Sequence, residues 1–231
     1  MATIFWAGDS TVQYNSISTY PQTGIGQVFH LFLKPEVKVE NHAKNGRSTK
    51  SFIDESRLPA IYDHMTEGDF LFIQFGHNDE KKIDPARYTE PFSDYMINLE
   101  KFINAARNKK AIPILITPLE RRCFTQQGQL DLGEHTDYVA AMKQTSEKLD
   151  VALIDFYSMS RAELKKAGPE QSKEWYMHLP AGKYRAFPEG LHTDNTHLQY
   201  AGAVLFGSCI AKGLLELGGQ YKDLLLEEFY K

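Results

Sequence analysis

The sequence predicts an α/β fold, a three-layer α/β/α sandwich on a mostly parallel sheet of about five strands. Three observations predict it. Short runs of Ile, Phe, Val and Leu recur along the chain, amphipathic helical patterns separate them, and polar, glycine-bearing segments follow them. Strands that alternate with helices are joined by right-handed crossovers into a parallel sheet. Helices on both faces of such a sheet remove the need for polar alternation, so an unbroken apolar run is the expected form of each strand. At 231 residues, one domain spanning 1–231 buries a substantial core, whereas two would each be cramped.

The predicted strands lie at Thr3 to Ala7, Val37 to Glu40, Asp69 to Phe75, Ala111 to Thr117 and Val151 to Phe156. After Pro91, Phe92, Tyr95, Met96, Leu99, Phe102, Ile103 and Ala106 recur at helical intervals and form one apolar stripe. A second helix is predicted from Thr136 to Leu149, with Tyr138, Met142 and Leu149 facing in. A third begins near Leu198 and turns Ala201, Val204, Leu205, Cys209 and Leu214 toward the core, while Gly202, Gly207 and Gly213 permit close packing at a cost in helix propensity. The stretch from Ala167 to Leu191, punctuated by proline and glycine, reads as a loop with a short turn around Trp175 that leads into HTDNTH.

Composition removes several function classes. Lys and Arg number 26 against 30 Asp and Glu, a net charge of -4 without a basic run, so nucleic acid is not an expected partner. No uninterrupted apolar segment approaches the roughly 20 residues of a membrane span. The N-terminus, MATIFWAGDS, shows no signal-peptide pattern, which implies a cytoplasmic protein if Met1 is its natural start and an extracellular one if a signal has been removed. Cys123 and Cys209 are the only cysteines and read as buried thiols rather than a disulfide framework or zinc pattern.

Ligand sites in open α/β sheets gather at the carboxyl ends of the strands. There the chain carries GDST at Gly8 to Thr11, NHAKNGRSTKS after the second run, GHND at Gly76 to Asp79, and TPLERR after the fourth. Ser10, just past the first strand, reads either as a turn or N-cap serine or as a nucleophile on a tight strand-to-helix turn. Asp194 and His197 fit a carboxylate that orients an imidazole across a short local turn, or a capping aspartate beside a surface histidine. Gly46 and Asn78 offer, with the Ser10 N–H, three donors for an oxyanion, although each also has an ordinary turn role. Together they compose a serine hydrolase site, and the G-x-S-x-G motif of conventional α/β-hydrolases is absent around Ser10.

In these blocks the chain resembles the SGNH hydrolases, or GDSL-type esterases. Gly8 to Ser10 match the nucleophile block, Gly46 the glycine block, Asn78 in GHND the asparagine block, and Asp194 with His197 the last block. The resemblance implies the flavodoxin-like SGNH fold, a catalytic triad of Ser10, Asp194 and His197, and an oxyanion hole of Ser10, Gly46 and Asn78. Within that family it is most similar to rhamnogalacturonan acetylesterases, through Thr11 of GDST, the run Asn45 to Ser48, His77, and Thr117 to Arg122. That likeness implies removal of acetyl groups from pectin-derived saccharides, with acetylxylan, lipid-ester and thioester hydrolysis and non-catalytic carbohydrate binding as the alternatives.

Arg47, Arg121 and Arg122 are candidates to hold an acidic sugar by paired hydrogen bonds. Trp175, Tyr176 and Tyr184 are candidates for a sugar platform or for anchors of their loop. His77 reads as a substrate contact or a buttress, and Asp9 and Asp79 as turn stabilisers. No cofactor is expected. A zinc site built from His192, Asp194 and His197, with His77 or Asp79, would leave Ser10, Gly46 and Asn78 unexplained. The expected partner is an acetylated oligosaccharide, with no membrane. The chain is expected to be a monomer or a homodimer, the latter if Tyr221, Leu224, Leu225, Phe229 and Tyr230 form an apolar tail that covers a neighbour rather than its own domain.

Overall fold

The structure, a computed structural model, describes residues 2–131, 133 and 135–230. Five parallel strands, β1 Thr3–Gly8, β2 Lys38–Asn41, β3 Phe70–Gln74, β4 Ile112–Ile116 and β5 Ala152–Ile154, form one sheet in the order β2-β1-β3-β4-β5. Every residue of β3 is buried, as an apolar run covered on both faces requires. β2, at the edge, alternates exposed with partly buried residues, so its sequence KVEN is the least apolar of the five.

Alternation along each strand divides the core in two. Ile4 and Trp6 of β1, Phe72 of β3 and Ile114 of β4 pack on one face, against α1 Ile25–Val28 and later helices. Phe5 and Ala7, Leu71 and Ile73, and Leu115 pack on the other. That second face is covered by α2 Thr49–Asp54, α3 Arg57–His64, α4 Met96–Asn108 and α5 Thr136–Leu149. The first is completed by α6 Phe156–Gln171 and α7 Tyr200–Leu217. The layers are those predicted, and α5 has the predicted bounds.

Several details differ. Pro91–Tyr95 forms a π-helical turn ahead of α4, and its extra residue per turn takes Phe92 off the apolar stripe, leaving it 50% exposed while Tyr95, Leu99, Phe102, Ile103 and Ala106 are fully buried. α7 buries Ala203, Phe206, Cys209, Ile210 and Leu214 and exposes Ala201, because the closest approach runs along its glycines. A Cβ on Gly202 would meet the carbonyl oxygen of Trp175, and one on Gly213 would lie 2.5 Å from Ile154. α7 has the length and apolarity of a membrane span, yet half of it is buried within this fold. Cys209 is buried and Cys123 is exposed, correcting the expectation for the latter.

The largest departure lies between Ala167 and Leu191. α6 runs through its first residues and kinks at Gly168, where φ is 71°, before Pro169. β6 Tyr176–Leu179 then pairs antiparallel with β7 His192–Leu198, so HTDNTH belongs to a hairpin and not to a loop. In the C-terminal tail Leu224 and Leu225 are buried and Tyr221 packs on the same core, so this part of the tail covers its own domain. The side chains of Phe229 and Tyr230 lie outside the described residues.

Candidate active site

β1 ends at Gly8, and the chain turns because the Asp9 carbonyl accepts from the N–H groups of Val12 and Gln13 at 3.2 and 3.1 Å. The Asp9 side chain locks the turn by accepting from the Thr11 N–H at 2.9 Å and the Thr11 hydroxyl at 2.8 Å. Burial raises the Asp9 pKa, and these Thr11 bonds oppose the rise. No helix follows at once, contrary to expectation, since α1 begins only at Ile25. Ser10, 6% exposed, is held at the carboxyl edge of the sheet.

The partner of Ser10 comes from the hairpin. Met177 pairs with Asp194 and the adjacent Tyr176 with Leu198, so Asn195, Thr196 and His197 form a bulge in β7. Inside it one Asp194 oxygen accepts from the N–H groups of Thr196 and His197, at 2.7 and 3.0 Å, while the other lies 2.6 Å from His197 Nδ1. His197 Nε2 is 2.8 Å from Ser10 Oγ. Burial alone would raise the Asp194 pKa; the bonds from the imidazole and from the two backbone N–H groups outweigh it and bring it down to about 2. Such an alignment moves a proton from hydroxyl to imidazole while the carboxylate stabilises the imidazolium.

The predicted donors converge on the same turn. The Lys44 N–H donates to the Gly8 carbonyl at 3.0 Å, seating the glycine turn beside the serine turn, and Gly46 has φ 78°. Gly76 bends the end of β3, with φ 153°, against Pro118, whose ring a Cβ there would meet at 2.9 Å. Asn78 Nδ2 donates to the Arg47 carbonyl at 3.1 Å, which joins the asparagine turn to the glycine turn. Among the described residues, no protein group accepts from the backbone N–H of Ser10 or of Gly46. These N–H groups and the second Asn78 Nδ2 hydrogen are candidate donors to an oxyanion.

Asp79 ties the turns together beneath them. Its carboxylate accepts from the Thr49 hydroxyl at 2.5 Å, the Thr49 N–H and the Thr89 hydroxyl. Burial nevertheless pushes its pKa up to about 7 against these bonds.

The expected sugar contacts are placed otherwise. Arg122 is 6% exposed; its Nε donates to Ser172 Oγ at 3.0 Å, Nη1 to Asn195 Oδ1 at 3.2 Å and Nη2 to the Pro169 carbonyl, so it fastens the hairpin to the β4 side of the fold. Arg121 bonds Glu80 at 2.7 Å, and Glu80 also bonds His135 Nδ1 at 2.6 Å. Arg47 is clamped by Glu55 and by the Asn45 carbonyl. His77 is 3% exposed, and its ring lies tilted against that of His135 with centroids 4.3 Å apart. Its burial, with His135, Arg121 and His197 nearby, lowers its pKa well below the usual range, so it buttresses the asparagine turn as a neutral ring. Trp175 packs edge-on against Phe206, and Tyr176 is fully buried with its hydroxyl on the Glu120 carbonyl, so both anchor the hairpin. Tyr184 packs edge-to-face against the exposed Tyr20. His192 stacks on Phe187, and among the described residues no three His, Cys, Asp or Glu side chains converge as metal ligands.

Two participants carried no sequence signal. Arg87, in an irregular segment, donates from Nη1 to Asn78 Oδ1 at 3.1 Å. Asn195, between the dyad members, receives Arg122 and lies 2.7 Å from His178 Nε2.

The chain is 40% identical over 225 residues to rhamnogalacturonan acetylesterase RhgT of Bacillus subtilis, covering 96% of this chain and 94% of that one. It is likewise 40% identical over 225 residues to the probable rhamnogalacturonan acetylesterase YesY of the same organism, covering 97% and 98%. The crystal structure of Bacillus subtilis YxiM superposes with a TM-score of 0.79 at 26% identity over 94% of this chain, which spans 57% of YxiM. Residues 7–203, from the end of β1 through the His197 bulge, match the GDSL-like lipase/acylhydrolase family, and the chain belongs to that family.

Proposed function

We propose that this protein is a carbohydrate O-acetylesterase that removes acetyl groups from rhamnogalacturonan oligosaccharides through a covalent acetyl-enzyme. The observation that carries the chemistry is the continuous alignment of Ser10 Oγ, His197 and Asp194 at 2.8 and 2.6 Å. The substrate rests on the two relatives named rhamnogalacturonan acetylesterase and probable rhamnogalacturonan acetylesterase, each matched over nearly its full length.

Ser10 Oγ attacks the acetyl carbonyl carbon as its proton passes to His197 Nε2. The carbonyl oxygen becomes an anion facing the N–H groups of Ser10 and Gly46 and the Asn78 amide. Collapse breaks the bond to the sugar oxygen, which leaves with the proton held by His197. Water then gives a proton to His197 and attacks the acetyl-serine; collapse releases acetate and returns the proton to Ser10. Asp194 keeps the imidazole in the required tautomer throughout.

The test is acetate release from acetylated rhamnogalacturonan oligosaccharides, acetylated xylooligosaccharides and a graded series of acyl esters, with wild type beside Ser10→Ala. Release confined largely to the first substrate and abolished by the substitution is the expected result. Preference for xylan would move the substrate, preference for long acyl chains would reject the carbohydrate reading, and an active Ser10→Ala enzyme would remove the nucleophile.

A further inference from the structure

We infer that Arg87 is a positioning residue of the oxyanion hole, acting through Asn78; this rests on the esterase reading above. An asparagine amide presents either its oxygen or its nitrogen to a site, and only the nitrogen can stabilise an oxyanion. Here the choice is forced by the neighbours. Asn78 Nδ2 faces the Arg47 carbonyl, which can only accept, and Asn78 Oδ1 faces Arg87 Nη1, which can only donate. A flip of the amide would break both contacts and set like against like.

The chain is built to bring Arg87 there. The Thr89 N–H donates to the Asp79 carbonyl at 3.0 Å and its hydroxyl to the Asp79 carboxylate at 3.0 Å, so the excursion between them closes on itself. Lys50 Nζ pins that excursion to α2 through the Pro85 carbonyl at 2.7 Å. Asp84 holds Arg87 Nε at 2.7 Å, which fixes the guanidinium and leaves Nη1 for Asn78. Arg87 also lies over the glycine turn, since a Cβ built on Gly46 would be 3.9 Å from Nη1. The cation therefore stands beside two of the donors without being one. Its bond to Oδ1 draws electron density away from Nδ2, which makes the remaining N–H a stronger donor as negative charge develops.

The effect belongs to the transition state, so it appears in kcat. Loss of a complete oxyanion donor costs roughly 10²–10³-fold, and loss of its orientation and polarisation is expected to cost less, about 10–100-fold. The experiment compares wild type, R87M, R87K, N78A and the double variant R87M/N78A, on a neutral aryl acetate and on acetylated uronate-containing oligosaccharides, with thermal unfolding of each protein. R87M is expected to lower kcat on both substrates with KM changed by less than about 3-fold, R87K to recover part of the loss, and R87M to add less than about 3-fold in the N78A background. A loss seen only as raised KM on the uronate substrate would overturn the inference in favour of a direct substrate contact. Multiplication of the two losses in the double variant would overturn it in favour of independent roles. Should R87M not fold, R87K carries the same comparison in both backgrounds. The esterase reading fails separately, through an active Ser10→Ala enzyme.

Discussion

The two halves of the candidate site are built on unlike foundations. Ser10, Gly46 and Asn78 stand on turns at the end of a parallel sheet whose central strands are buried on both faces. His197 and Asp194 stand on a two-stranded hairpin outside that sheet, attached by α7, by Gln199 bonding the Trp175 and Tyr176 carbonyls, and by Arg122. The first half inherits its order from the hydrophobic core. The second shares that core through Trp175, Tyr176 and Leu198 but adds to it a handful of directed polar bonds, and it is there that single substitutions test chemistry and stability together.

The largest expected effect is on the hairpin. Asp194→Asn should lower kcat for acetyl-ester hydrolysis by roughly 10³–10⁴-fold, because the amide favours the wrong imidazole tautomer. Its unfolding midpoint at neutral pH should fall as well, because the ionised carboxylate stabilises the fold there, and a kcat loss under 10-fold in steady-state assays would mean that the carboxylate is not part of the reacting chain. Arg122→Met should cost about 10–100-fold in kcat and about 2–3 kcal/mol of stability, since it removes charged hydrogen bonds to the buried Ser172, to Asn195 and to the Pro169 carbonyl. Denaturant titration beside kinetics decides this case. A stability loss without a kinetic one would mean that the hairpin keeps its register unaided.

Acid and base should act on the two halves with opposite sign. Asp194, depressed to about 2, contributes stability that is complete above the ordinary carboxylate pKa and is lost as pH falls through about 2. Asp79, raised to about 7, does the reverse: its protonated form is favoured in the fold, so its contribution is complete below the ordinary carboxylate pKa and is lost as pH rises through about 7. Unfolding curves from pH 4 to 8 should therefore show wild type losing stability relative to Asp79→Asn as pH rises, and parallel curves would refute the assignment. The smallest effect is expected at Arg47. Its side chain serves Glu55 and the Asn45 carbonyl, and only its backbone carbonyl meets Asn78, so Arg47→Ala should change kcat and KM by less than about 3-fold.

The same contrast explains what was legible in the sequence. Strands such as FLFIQ announce themselves because burial on both faces leaves no room for polar residues, and the turn residues after them could be placed at the sheet edge from that fact alone. The hairpin offers its site residues Asp194 and His197 but no sign of its strands. β7 reads HTDNTHL, polar throughout, because its residues serve the site and a bulge interrupts its alternation, and β6 has only four residues. α6 ends in a run of charge broken by Gly168 and Pro169, which hid its last turns. Arg122 was singled out for its chemical type, but its partners Ser172, Pro169 and Asn195 lie far along the chain, and only the fold shows that they consume it. Arg87 sits in a segment without periodicity or motif, and its significance appears only once the excursion from Asp79 to Thr89 closes.

The bulge in β7 has a consequence for how the enzyme wears out. Asp194 grips two backbone N–H groups and the imidazole within a span of four residues, from 194 to 197, so the pair travels as one piece when the hairpin shifts. Arg122 ties that piece to the segment after β4 through Asn195, and the separation from His197 Nε2 to Ser10 Oγ joins its imidazole to the nucleophile. Warming that loosens the hairpin before the sheet melts would switch activity off by parting two intact components, and cooling would re-seat them, giving a reversible loss of turnover some degrees below the global transition.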